Sequence, residues 1–116
     1  MIFILKFSLF EYAHFMTNLI AKRLAEARTK MGLSQKQLGI KAGIDPFSAS
    51  PRINQYERGK HTPDFGTVER LAKVLKTPVP FFYTKDNELA KLILIYASLS
   101  GKNKKRAVSE ISNFLT

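Results

Sequence analysis

The chain has 116 residues, of which 45% are hydrophobic, and it has no cysteine. This length suits one compact domain with a hydrophobic core. The share of hydrophobic residues excludes a disordered chain, which would have fewer of them. Without cysteine there are no disulfides or thiolate metal sites, and the isolated His14 and His61 cannot form a zinc site, so we expect no metal and no cofactor. The formal net charge of +10 favours a polyanionic partner, chiefly nucleic acid.

Residues 1–16 form an apolar N-terminal segment that three hypotheses can explain. Lys6 and Glu11 interrupt the apolar run and no small-residue cleavage site follows, which argues against a signal peptide. The run is also too short to span a bilayer. It is a strand or helix packed on the domain or on a partner, an extension upstream of a start at Met16, or a membrane-associated segment. We expect a cytoplasmic protein with no membrane partner.

Two helices joined by a short turn are predicted after this segment. Thr17 or Asn18 caps the first, which runs to Met31 and ends before Gly32. Its inward face is expected to hold Ile20, Leu24, Ala27 and Met31, with Lys22, Arg23, Glu26 and Lys30 outside. The second helix begins with a capping box, Ser34 to Gln37, and runs to about Ala42, with Leu38 and Ala42 inward.

A loop at Ile44 to Ala49 and two further helices are predicted next. Ser50 followed by Pro51 matches a cap and a first helical position, so the third helix is placed at Pro51 to Arg58. Its spacing puts Ile53 and Tyr56 inward. Asp64 is expected to cap the fourth helix, residues 65–75, with an inward face of Phe65, Val68, Leu71, Ala72 and Leu75.

The remaining residues predict a short apolar turn or helix at Phe81 to Tyr83, interpreted as core, and two tail helices. These are Glu88 to Leu99 and the amphipathic Lys102 to Leu115, separated by a break at Ser100-Gly101. The basic run at 102–106 is interpreted as a solvated face rather than a contact with a nucleic acid. The fold class is therefore all-α, with units at 1–16, 17–84 and 85–116.

Residues 17–84 carry an ordered set of short motifs. They are Leu33-Ser34-Gln35, Leu38, Ala42-Gly43, Ile53, Tyr56, Glu57-Arg58-Gly59-Lys60, Pro63, Leu71-Ala72-Lys73-Val74-Leu75 and Pro78-Val79. In this order, the set resembles the Cro/repressor-type (XRE-like) helix-turn-helix family. The resemblance implies a compact five-helix, repressor-like DNA-binding domain, here with a C-terminal helical extension.

One stretch departs from the family pattern. Between Ala42-Gly43 and Glu57-Arg58-Gly59, family members usually have about nine residues, whereas this chain has thirteen, 44–56. We expect the extra residues to lengthen the loop around Asp45 to Ala49. This leaves open which residue begins the recognition helix and whether the loop itself contacts DNA.

The predicted DNA-contacting residues follow from the orientation of the third helix. With Ile53 and Tyr56 inward, base contacts are assigned to Ser50, Arg52, Asn54 and Gln55, because Asn and Gln suit adenine and Arg suits guanine. Backbone contacts are assigned to Gln35, Lys36, Arg58, Lys60 and His61. For Gln35 the resemblance itself implies this role. Glu57 is interpreted as a structural partner of a nearby arginine, for which Arg58 is one candidate.

The sequence thus predicts a transcriptional regulator, repressor rather than activator, that binds double-stranded DNA at a palindromic operator as a homodimer. The two tail helices are candidates for the dimer interface, and they could equally pack on the domain of a monomer. An antitoxin, or another module that binds a small protein partner, is the alternative within the same fold. No nucleophile elbow, phosphate loop or metal-binding histidine pair occurs in the sequence, so we expect no enzyme activity.

Overall fold

The computed structural model describes residues 8–116, and all its regular elements in that range are helical. Helix α1 is Leu9–Met31, α2 is Gln35–Lys41, α3 is Pro46–Glu57 and α4 is Phe65–Val74. A short 3-10 helix, Val79–Tyr83, leads to α5 at Asn87–Ser98 and α6 at Gly101–Ser112, and the chain ends in a 3-10 turn at Asn113–Leu115. The all-α prediction is confirmed.

Helix α1 begins earlier than predicted. Its cap is Ser8, not Thr17 or Asn18, and Ser8 and Glu11 form a reciprocal capping box. The predicted caps lie inside a continuous helix, where the hydroxyl of Thr17 donates to the carbonyl of Ala13 at 2.8 Å. Residues 9–15 are exposed helix, while residues 1–7 of the apolar segment lie outside the described range. The division at residue 16 stays a prediction.

The core lies where α1 to α4 and the 3-10 helix meet. Its largest fully buried side chains are Leu24, Leu38, Ile53, Val68, Leu71 and Phe82. The predicted core role of Phe81 and Phe82 is confirmed, since they are 3% and 1% exposed and meet edge to face. These contacts fix α3 between α1 and α2, and so position the candidate site.

Three predicted orientations are wrong. Met31, expected inward, is 36% exposed at the last residue of α1. Phe65, expected inward, is 59% exposed at the start of α4, where it stacks on Tyr83. Arg23, expected outside, is only 3% exposed. Its guanidinium donates to the carbonyls of Thr84 and Lys85, so it ties α1 to the segment that leads into α5. A buried charge of this kind is stable only with such partners, which the helical period of α1 does not reveal.

The tail helices pack loosely on the rest of the chain. Ala90 is the buried residue of α5, and α6 buries none of its residues. Along α5 and α6, apolar side chains are exposed instead: Leu89, Leu92, Ile95, Tyr96, Val108 and Ile111. Among residues 8–116, no helix combines the length and apolar character needed to cross a membrane.

Candidate nucleic-acid interface

The turn between α2 and α3 brings the two helices into close contact. Ser34 caps α2 through the predicted box with Gln37, with bonds of 3.0 and 2.8 Å. Gly43 then adopts a φ of +89°, a conformation that favours glycine, and reverses the chain. Gly39 and Ala49 meet at the crossing: a Cβ built on Gly39 would lie 2.7 Å from the Cβ of Ala49. The absence of a side chain at Gly39 therefore sets the spacing of α2 and α3.

Helix α3 starts one turn earlier than predicted, and this correction changes the site most. Asp45 is the cap, its carboxylate accepting from the backbone N–H of Phe47 at 3.1 Å, and Pro46 holds the first helical position. The four extra residues thus lengthen the recognition helix rather than the loop. Ser50-Pro51 carries the same start signal, but Ala49 is fully buried against α2, and this packing favours the longer helix.

Pro51 consequently lies inside α3. It has no N–H, so the carbonyl of Phe47, four residues earlier, receives no helical hydrogen bond from it. Pro51 is exposed, on the side of α3 away from the core, where water can bond that carbonyl. Such a proline costs about 3 kcal/mol in a helix interior. The buried stripe of α3 is what offsets this cost.

The outward face of α3 follows from its buried stripe. Ala49 and Ile53 are fully buried and Tyr56 is 8% exposed, as predicted for the last two. At about 100° per residue, the opposite face holds six residues. They are Phe47, Ser48, Pro51, Asn54, Gln55 and Arg58. The longer helix thus extends the predicted face by one turn at its amino end.

The predicted base-contacting residues occupy different parts of this surface. Asn54 and Gln55 are half-buried on the outward face, and Arg52 is exposed on its flank. Ser50 is also half-buried but lies inside the helix, near the Glu57 side, so its assigned role as helix cap is wrong. Their contact with bases stays a prediction.

A polar network holds α3 to α1 and α2. Arg28 donates to both carboxylate oxygens of Glu57, at 2.5 and 2.9 Å, and to the carbonyl of Leu33 at 2.9 Å. The hydrogen bond with Glu57 raises the pKa of the Arg28 guanidinium. The structural interpretation of Glu57 is confirmed, with Arg28 rather than Arg58 as the partner. Arg58, the exposed C-terminal cap of α3, remains available at the surface.

Gln35 joins this network from the start of α2. Its amide nitrogen donates to Asn54 at 3.3 Å and to Glu57 at 3.1 Å. Both amide protons are thus engaged with α3, so a bond to a DNA phosphate would come from the backbone N–H of Gln35. Lys36 follows it and is exposed. Gln35 also orients Asn54, a role that its position in the sequence does not reveal.

The predicted backbone contacts beyond α3 lie on the segment that follows it. Gly59 adopts a φ of +71°, and the backbone N–H groups of Lys60 and His61 donate to the carbonyl of Gln55 at 2.9 and 3.4 Å. The hydroxyls of Thr17 and Thr62 make a close contact that ties this segment to α1. Lys60 and His61 are exposed. Arg58 and Lys60 thus place two cationic side chains at the carboxyl end of α3, with His61 next to them in the chain.

Comparison with known proteins identifies the family. Residues 24–82 match the family model described as Helix-turn-helix. The chain belongs to the XRE-type helix-turn-helix family. The matched residues of this family run from the middle of α1 to the 3-10 helix, and so include the α2–α3 pair and its network. The lengthened α3 is thus part of a helix-turn-helix unit.

The relatives are regulators. The crystal structure of the transcriptional regulator BswR is 47% identical, with a TM-score of 0.77, and the match covers 80% of this chain and 92% of that one. Two proteins named as uncharacterized HTH-type transcriptional regulators, from Sinorhizobium medicae (strain WSM419) and Rhizobium meliloti (strain 1021), are each 30% identical over 64 residues. That match covers 55% of this chain and 43% of each relative, so the chain spans less than half of their length.

Proposed function

We propose that this helix-turn-helix protein binds double-stranded DNA sequence-specifically, with α3 in the major groove, and acts as a transcriptional repressor. We propose further that it is located in the cytoplasm and has no enzyme activity. The observation that carries the proposal is the division of α3 into two faces. A buried stripe and the Arg28–Glu57 pair fix one side, while the other presents Asn54 and Gln55 to solvent. An α-helix held in this way fits the major groove, where each base pair has a distinct pattern of donors and acceptors.

The proposed contacts divide into two groups. Asn54 and Gln55 bind base edges, adenine being the base that their amides match, and Arg52 and Ser50 contribute from the flanks. Lys36, Arg58, Lys60 and His61, with the backbone N–H of Gln35, bind phosphates. The acidic Glu57 lies next to this surface, but its charge is neutralised by Arg28.

Selection from a random duplex library tests sequence specificity. The full chain should enrich one palindromic motif, and Gln55→Ala should lose preference at one base position, with about tenfold weaker binding to the motif. Asn103→Ala, an exposed change on α6, is the matched control and should keep both motif and affinity. Binding that depends on salt but enriches no motif would refute sequence-specific recognition.

The phosphate contacts are separable in the same assay. Lys36→Ala and Lys60→Ala should each weaken binding to all sequences alike and lower the salt slope by about one counterion. Lys91→Ala, on α5, is the control with the same change in net charge. A changed motif in either test variant would show that the lysine contacts bases instead.

Homodimerisation through the tail is the second part of the proposal. A twelve-residue helix such as α6 is marginal without packing, yet none of its residues is buried in the single chain. A second copy would bury Val108 and Ile111 and would place two α3 helices on one palindrome. We expect Ile111→Asp, but not the exposed Ser109→Asp, to give a monomer in sedimentation equilibrium.

The same exposed apolar residues also fit the alternative function, an antitoxin-like module whose tail covers a small partner protein. Sedimentation separates the two. A stable dimer of the purified chain supports the homodimer, whereas a monomer that captures a defined toxin with its tail supports the alternative.

A further inference from the structure

A shallow depression lies on the outward face of α3, in the half that the extra turn creates. It is open to solvent, has a volume of about 220 Å³ and is lined by five side chains, Phe47, Ser48, Pro51, Arg52 and Gln55. The residues are four apart in two rows, 47–51–55 and 48–52, so they form one continuous surface of a helix.

The amino-terminal part of the depression is apolar and unusually exposed. Phe47 is 94% exposed, in the first turn of α3, and Pro51 presents its ring one turn later on the same face. Phe47 buries almost nothing in the folded chain, so folding alone gives no reason for an aromatic ring there. Around these two rings stand the hydrogen-bonding side chains of Arg52 and Gln55.

The major groove offers one apolar group for such a surface. Among the base edges it displays, the largest apolar group is the C5-methyl of thymine or of 5-methylcytosine, and side chains such as Phe contact it directly. We propose that Phe47 and Pro51 form a contact site for one pyrimidine C5-methyl group in each half-site of the operator. Arg52 and Gln55 bind the neighbouring bases. This inference rests on the proposed function.

The helix geometry limits where that methyl lies. The contact site lies between Gln55 and the amino end of α3. Phe47, its far end, is eight residues from Gln55, or about 12 Å along the helix axis at 1.5 Å per residue. With base pairs stacked about 3.4 Å apart, the methyl-bearing base falls within about three steps of the base that Gln55 binds. It lies on the side of the amino end of α3. A helix that began at Pro51 would lack Phe47 and would not reach this position.

Replacement of thymine by deoxyuridine tests the proposal, because it removes the C5-methyl and leaves the hydrogen-bonding pattern unchanged. In the selected duplex, each thymine is replaced singly, with its symmetry mate, and the Kd of the full chain is measured. One position in the predicted interval should weaken binding about fourfold, the effect of burying one methyl group. When thymine is put back at that position of the duplex, the affinity of the full chain should be restored.

Protein variants assign the methyl contact to its residues. Phe47→Ala should weaken binding to the thymine duplex and become insensitive to deoxyuridine, while Phe47→Leu should keep part of the sensitivity. Phe10→Ala removes another exposed ring, 81% exposed on α1, and should keep full sensitivity. Because Phe47 is so exposed, equal unfolding midpoints of wild type and Phe47→Ala will show that the fold is unchanged.

The outcomes separate the inference from the function on which it rests. A clear motif that depends on Gln55, with no methyl-sensitive thymine in the interval, would overturn the methyl contact and leave DNA recognition intact. Full methyl sensitivity in Phe47→Ala would overturn it as well. If no motif is enriched at all, both the function and the inference fail.

Discussion

The close approach of Gly39 and Ala49 makes a prediction about stability that can be worked from the structure. In Gly39→Ala, the new Cβ would lie 2.7 Å from the Cβ, 2.9 Å from the Cα and 3.0 Å from the carbonyl oxygen of Ala49. Two of these atoms belong to the backbone, so no side-chain rotation relieves the overlap. Helices α2 and α3 must move apart, or the turn between them must deform.

The expected magnitude is the difference of two effects. Overpacking in a well-packed interior costs about 1–3 kcal/mol, and contacts with the backbone of Ala49 put this site near the upper end. Replacing a helical glycine by alanine returns up to about 1 kcal/mol through helix propensity. We therefore expect Gly39→Ala to lower the free energy of unfolding by about 1–2 kcal/mol, or Tm by roughly 4–10 °C.

Gly66→Ala is the matched control, since it makes the same substitution in α4. There the new Cβ would meet nothing closer than 3.7 Å, so we expect it to be neutral or to stabilise by up to about 1 kcal/mol. Urea and thermal unfolding followed by circular dichroism measure both variants. Adding Ala49→Gly to Gly39→Ala should recover part of the loss. If Gly39→Ala is as stable as Gly66→Ala, the conclusion that α2 and α3 make close contact at Gly39 and Ala49 is refuted.

Further predictions concern the network, a helix cap and the proline. Arg28→Ala leaves the Glu57 carboxylate, only 7% exposed, without its cation, and should cost about 2–4 kcal/mol in urea unfolding; an unchanged midpoint would refute a structural pair. At Asp64, the bond from the Thr67 backbone N–H lowers the carboxyl pKa below its usual 3.8, so this stabilisation is complete above pH 3.8 and is lost as pH falls through the lowered pKa. Asp64→Asn should make the urea midpoint less pH-dependent there, and equal acid slopes would contradict this. Pro51→Ala should stabilise by about 2 kcal/mol, whereas destabilisation would show that the proline fits a non-helical backbone.

The parts of the fold predicted well are those that local chemistry determines. The capping box at Ser34, the stops at Gly32 and Gly43, and the inward positions of Ile53 and Tyr56 each depend on residues within one or two turns. Such signals are present in the sequence whatever the rest of the chain does. For the same reason the tail helices were predicted within one or two residues, apart from the 3-10 turn that ends the chain.

The errors arose where contacts between distant residues decide. Arg23 is buried because carbonyl groups 61 and 62 residues away accept its hydrogen bonds. No local sequence pattern predicts such distant partners. Two start signals for α3, Asp45-Pro46 and Ser50-Pro51, stand a few residues apart. Locally they are equivalent, and the choice depends on the packing of Ala49 against Gly39. The start of α1 differs for another reason, because Ser8 and Glu11 lie in a segment for which the sequence leaves three interpretations open, only one of them including a helix.

The position of Pro51 connects the stability of α3 with its proposed function. A helix that served only to fill the core would gain stability from almost any other residue there, because proline removes one hydrogen bond from α3. Ala49, whose close contact with Gly39 of α2 keeps the extra turn folded, lies on the opposite side of α3 from Phe47 and Pro51. The inner side of the turn therefore supplies stability, while the outer side carries a feature that lowers it. Stability given up on an exposed surface is expected at binding sites. If Pro51→Ala both stabilises the chain and abolishes the discrimination between thymine and deoxyuridine, the extra turn serves recognition.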